Sequence, residues 1–197
     1  MRRRGEAVEE TRRKIIDATF GVHAEQGIVD ARLADVAQRA GVSLATVYRH
    51  FPALEDLVNA CGELTADIVR PPQADQAADA LDGIQAPEDR VRRLVEEIHG
   101  FAKRGGAAGY ALAERDRHRL EILDHELTRV DDQVAGWVRA ALAPFDASDE
   151  TVAIVTGIVD WRTWLRFTSL GVEPDAVSRW AVRATLCEIE SAAQHER

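Results

Sequence analysis

The side chains of this 197-residue chain that could do chemistry fall in two places. His118, Glu121 and His125 stand at i, i+3 and i+7, and imidazole and carboxylate are ligands for Zn²⁺ or a similar cation. Advancing ~100° per residue puts the three within about 60° of one another on one helical face, with Leu120, Leu123, Leu127, Val130, Val134 and Trp137 opposite. A trio on the water side of a helix lacks the dry shell of a metal centre, so no metal and no catalytic residue is assigned. No Gly-x-Ser-x-Gly elbow, glycine-rich phosphate loop or His-Glu-x-x-His string occurs. Cys61 and Cys187 make neither a metal pattern nor a disulfide framework. Cys187 is expected in a helical core with Trp180, Ala184, Leu186 and Ile189, and His99 as a partly buried, satisfied histidine or, alternatively, one that borders a cavity. No cofactor is implied, and an enzyme reading finds no support.

The second place is the stretch up to His50. Tyr48 and His50 suit phosphate contact. Arg49 either reads a guanine bidentately or holds phosphate. Ala45 and Thr46 sit where a major-groove helix meets base edges, and Leu44 can touch a thymine methyl. Such contacts require a helix that presents its N-terminal half outward. The residues before it provide one. Val36, Ala37 and Ala40 form an inward stripe, Gly41 tolerates the positive φ of a tight turn, Val42 plugs the core, and Ser43 caps the next helix.

The elements that must position these groups are helical throughout. The spacing predicts helices over about 8–26, 33–40, 43–50, from Pro52 to before Pro71, 87 to about 104, 116–142, 149–170 and 174–193. A short weak helix is expected within 73–87, and Gly105, Gly106 and Gly109 mark a break. The fold class is therefore all-α.

Net charge is −9, unevenly spread: residues 1–50 carry +2 and residues 51–197 carry −11. A slightly basic head on an acidic body is expected when one end meets a polyanion. Arg2, Arg3 and Arg4 are either an arm for the minor groove or a solvated tail. No apolar run approaches the ~20 residues of a membrane span, and no signal-peptide core follows Gly5, so no membrane partner and a reducing cytoplasm are expected.

The run Ile15-Ile16-Asp17-Ala18, Gly27, Asp35 through Ser43, Thr46 through Phe51 and Leu57 resembles the N-terminal domain of TetR-type (tetracycline-repressor-like) regulators. The resemblance covers about the first quarter of the chain and is most specific from Val36 to Phe51. Three positions depart from it: Arg32 replaces the usual Thr or Ser, Leu54 the usual Lys, and His23 a buried Phe. Arg32 would then exchange a hydroxyl–phosphate contact for a guanidinium one.

The resemblance implies a three-helix helix-turn-helix DNA-binding domain over residues 1–52 and a helical ligand-binding and dimerisation domain over 53–197. Its partners would be a pseudo-palindromic double-stranded DNA operator, a second copy of the chain and a small-molecule effector. Phe101, Tyr110, Trp137, Trp164 and Phe167 are candidate pocket residues, with Asp160, Arg166 and Glu114 to orient a polar group. Aromatics outnumber charges there, which favours a largely apolar ligand. Ile154, Ile158, Trp161 and Leu165 form one stripe and Val177, Trp180 and Ala184 another; helices apolar on two faces need a second partner, so a homodimer is expected. The function read from this is a repressor released from its operator by such a ligand. The alternatives are a DNA-binding regulator controlled by a protein partner and, remotely, a metal-dependent helical enzyme.

Overall fold

The computed structural model describes residues 2–195, except for the side chains of residues 2–4, 107, 108 and 195, so the side chains of the arginine run lie outside the described residues. Every regular element among the described residues is a helix. They are α1 (Arg2–Gln26), α2 (Leu33–Ala40), α3 (Leu44–His50), α4 (Leu54–Val69), α5 (Ala77–Ala80), α6 (Pro87–Phe101), α7 (Ala107–Arg115), α8 (Glu121–Leu142), α9 (Asp149–Val159), α10 (Trp161–Ser169) and α11 (Pro174–His195).

The chain divides into two compact units, Met1–Ile68 with Leu112–His125, and Val69–Ala111 with Glu126–Arg197. The sequence alone suggests a first domain ending at residue 52. The first unit extends further because Leu57, Ala60 and Cys61 of α4 are buried with Ile15, Val22, Val36, Val47 and Phe51, and cutting at 52 would open that core. A smaller cluster joins Ile28 and Val58 to Leu123, from the middle of the chain. In the second unit Leu94 and Ile98 of α6, Trp137 and Val138 of α8, Val155 and Val159 of α9, and Ala181 of α11 make the core.

Several boundaries differ from those the spacing predicts. Helix α1 begins at Arg2, not near Val8. The helix expected from residue 116 begins at Glu121, because Leu120 is extended (φ −135°, ψ 121°) after a 3₁₀ turn over Arg117–Arg119. The single helix expected over 149–170 breaks at Asp160 (φ −55°, ψ 140°), whose carboxylate accepts from the Arg162 amide and caps α10. A wide turn over Ala102–Gly106, with Gly105 at φ 101°, separates α6 from α7.

Candidate nucleic-acid interface

Helix α2 ends at Gly41, whose backbone (φ 69°, ψ 31°) lies in the left-handed region that a side chain would strain. The Val42 amide turns back to the Ala37 carbonyl at 3.0 Å. Ser43, extended at φ −75° and ψ 151°, then opens α3 by accepting the Thr46 amide on its hydroxyl at 3.1 Å, with the two hydroxyls 2.9 Å apart. Val36, Ala37 and Val47 are buried, and Ala40 and Val42 pack against their cluster. Two short helices are thereby held at a fixed turn, one face inward.

The outward face of α3 carries the residues that the sequence places there. Leu44, Ala45, Tyr48 and Arg49 are exposed, Tyr48 by 50%, while Thr46 and His50 are half-buried. Ser43 and Arg32 are exposed at the N-terminal ends of α3 and α2; Arg32 holds the N-cap position of α2 without a side-chain capping bond. Arg12 lies 5.1 Å from the Phe51 ring centroid, which ties α1 to the end of α3. Arg39 of α2 pairs with Glu25 of α1. The eight candidate contact residues thus surround one exposed helix and its approach.

A model of bacterial regulatory proteins of the tetR family matches residues 15–61. The HTH-type transcriptional regulator TtgR of Pseudomonas putida is 30% identical over 135 residues, covering 67% of this chain and 58% of TtgR. The HTH-type transcriptional repressor LfrR of Mycolicibacterium smegmatis is 36% identical over 91 residues, 46% of this chain and 44% of LfrR. A TetR-like transcriptional regulator from Rhodococcus sp. RHA1 shares the fold with a TM-score of 0.61 at 16% identity, over 89% of this chain and 93% of that one. Over residues 15–61 the chain belongs to the tetR family.

The matched stretch spans less than two thirds of either curated relative named above, and the family model ends at residue 61. Phe101 and Tyr110 meet edge to face at 5.4 Å, and Trp161 stands 6.3 Å from Tyr110. The Tyr110 hydroxyl donates to Glu126 at 3.0 Å, and burial together with the Glu126 charge pushes its pKa up. The indole N–H groups of Trp161 and Trp164, both buried, find no acceptor among the described residues.

The remaining candidate pocket residues are scattered. Trp137 lies in the core beneath Arg93 and donates to the Gln73 carbonyl at 2.8 Å. Phe167 pairs instead with Trp180 at 4.9 Å, and Arg166 is exposed. Asp160 is half-buried as the α10 cap, paired with Arg162 at 3.1 Å; burial pushes its carboxyl up against that pairing. Glu114 belongs to the first unit, 3.8 Å from Arg117. An open groove of about 510 Å³ runs along α6 and α11, bordered by Arg92, His99, Lys103, Ser178 and Arg183, and none of the expected pocket residues lines it.

Of the residues expected at a dimer interface, Ile154 is exposed and Ile158, Leu165, Trp180 and Ala184 are half-buried. Trp161 and Val177 correct the expectation. They are 1% and 2% exposed because the chain's own core fills their surroundings, the Asp160 break having turned Trp161 inward. Cys187, expected in the core, is exposed.

The side chains of His118, Glu121 and His125 are 87%, 88% and 75% exposed. His118 stands in the 3₁₀ turn, so the three do not share a helix face. Sequence reasoning missed Asp116 and Arg119, which lie against the α1–α2 turn. Its one signal nearby was His23, a departure from the family pattern, which is buried in that same unit.

Proposed function

We propose that this chain is a sequence-specific DNA-binding transcriptional repressor acting as a homodimer. The observation that carries the reading is the exposed N-terminal face of α3, with Leu44, Ala45, Tyr48 and Arg49 outward behind a Ser43 cap. Helices presented this way enter a major groove, with phosphate contacts fixing register and the first-turn side chains reading base edges. The +2 charge of the first fifty residues, against −11 for the rest, fits a polyanion at that end only. LfrR, a relative in the matched region, is named a repressor.

A second copy would pack on the faces of α9, α10 and α11 that carry Ile154, Ile158, Leu165, Trp180 and Ala184, setting two α3 helices ~34–36 Å apart on a pseudo-palindromic site. Release would come from a small, largely apolar effector with a hydrogen-bond acceptor, received among Phe101, Tyr110 and the two unpaired indole donors. The effector would act only through its preference for one half-site spacing over the other.

Selection of duplexes from a random-sequence library by the full chain tests the DNA reading. Enrichment of a two-fold-related sequence with half-sites about 10 bp apart is expected; no enrichment at low salt would sink it. A thermal-shift and tryptophan-fluorescence screen with metabolites and lipophilic drugs tests the effector. The control by a protein partner gains if no compound shifts the protein or releases the duplex.

A further inference from the structure

The unit that carries α3 is completed by residues outside the family-matched stretch. Asp116, only 2% exposed, lies between α7 and α8 and aims one carboxylate oxygen at the turn joining α1 to α2. That oxygen, Oδ2, accepts the backbone amides of Ile28 at 2.9 Å and Val29 at 3.2 Å. The other, Oδ1, accepts from Arg119 at 3.2 Å, and the same guanidinium forks onto Asp30 at 3.0 and 2.8 Å. The turn passes so close that a Cβ on Gly27, at φ +98°, would fall 1.9 Å from an Arg115 nitrogen and 3.3 Å from Asp116 Oδ2. Ile28 packs with Val58 and Leu123. All these residues lie within the first unit.

We infer that Asp116 is a positioning residue for DNA recognition: by holding the α1–α2 turn it sets the pose of α2, and through the Gly41 turn the pose of α3. The inference rests on the DNA-binding reading. Its physical basis is local. Two amides of the turn after α1 need an acceptor, and a buried carboxylate offers a charge-assisted one. Helix α2 has 8 residues and α3 has 7, too short to hold an orientation by themselves. Beyond the core packing of Val36, Ala37 and Val47 and the Arg39–Glu25 pair, their pose depends on what pins the two ends of α2. One end is pinned by the left-handed Gly41 and the other by the turn that Asp116 holds. Base-edge contacts fail with small displacements of a recognition helix, whereas phosphate contacts tolerate them.

The test uses full-length wild type, Asp116→Ala and Asp116→Asn at fixed salt. The probes are the duplex enriched by wild type from a random library and a scrambled duplex of equal composition. Both amides bond to one oxygen, so Asn retains their acceptor and Ala does not. The Ala variant should bind the enriched duplex about tenfold more weakly and Asn within about threefold of wild type, with the scrambled duplex little changed for either. In DNA-free protein, amide hydrogen exchange at Ile28 and Val29 should speed up in the Ala variant and stay near wild type in Asn. Wild-type affinity of the Ala variant for the enriched duplex, or unchanged exchange at those two amides, overturns the inference.

Should Asp116→Ala fail to fold, Arg119→Ala, at an exposed site, carries the test. A loss of about threefold on the enriched duplex alone supports the role, and none overturns it. If no duplex is enriched, the DNA reading itself falls, and amide exchange still decides whether Asp116 holds the turn.

Discussion

Arg90 donates its Nε hydrogen to the Ala141 carbonyl at 3.1 Å, from inside the core of the second unit. Its other nitrogens reach the carbonyls of Ala140, Leu81 and Ile84 at 2.8, 3.1 and 2.9 Å. A cation at the C-terminal turn of α8 satisfies carbonyls that the helix leaves unbonded and opposes the negative end of its dipole. Arg90→Met keeps the stem and removes every donor. We expect a loss of about 2–4 kcal/mol in denaturant unfolding. An unchanged midpoint would show that water serves those carbonyls equally well.

His23 and His99 make stability depend on pH. Burial lowers both to about 4, with the Lys103 charge adding to the effect at His99 and Asp116 opposing it at His23. Unfolded histidine titrates near 6.5. Between those values the unfolded chain binds more protons, so stability is full above pH 6.5 and falls toward pH 4. The exposed Asp30, Asp124 and Asp175 are held low by Arg119, Arg117 and Lys103 and titrate below that window. His23→Phe should flatten the slope of unfolding free energy against pH by up to about 3 kcal/mol across the window. An unaltered slope would place His23 in contact with water.

The two thiols should react at very different rates. Cys187 is exposed, whereas Cys61 is buried and burial pushes its thiol up to about 12. A disulfide reagent at neutral pH should titrate Cys187 quickly and Cys61 only on unfolding. Rapid modification of Cys61 in native protein would mean that α4 opens readily.

The dimer face is tested at Ile154, which the chain leaves exposed, and not at Trp161, which it buries. Ile154→Glu should shift sedimentation from dimer toward monomer while leaving the monomer's fold intact. Wild type sedimenting as a monomer at micromolar concentration would remove the dimer, and an unshifted variant would move the interface elsewhere.

The first unit was legible in the sequence where local chemistry dictates geometry. Gly41 and Ser43 each impose one backbone state, so the turn and the α3 cap follow from residue type alone. Where a residue's role depends on distant partners the sequence was silent. Asp116 bonds to amides 88 and 87 positions away, and no spacing rule reaches that far. Periodicity also misled where it ran through a cap. The stripe containing Trp161 assumes one continuous helix over 149–170, and the Asp160 break rotates α10 relative to α9. The aromatic set is only partly gathered: Phe101 and Tyr110 meet, while Trp137 and Phe167 find other neighbours.

The central claim, that α3 reads DNA, is tested most directly by fluorescence-anisotropy titration of the enriched duplex at one salt concentration with wild type, Arg49→Ala and Tyr48→Phe. Both residues are exposed on α3, so neither substitution should change thermal stability appreciably. A lost base contact at Arg49 should cost about 1–3 kcal/mol and relax specificity at one position, whereas a lost phosphate contact at Tyr48 should weaken all duplexes alike. Wild-type affinity and specificity in both variants would contradict the assignment of α3 as the recognition helix.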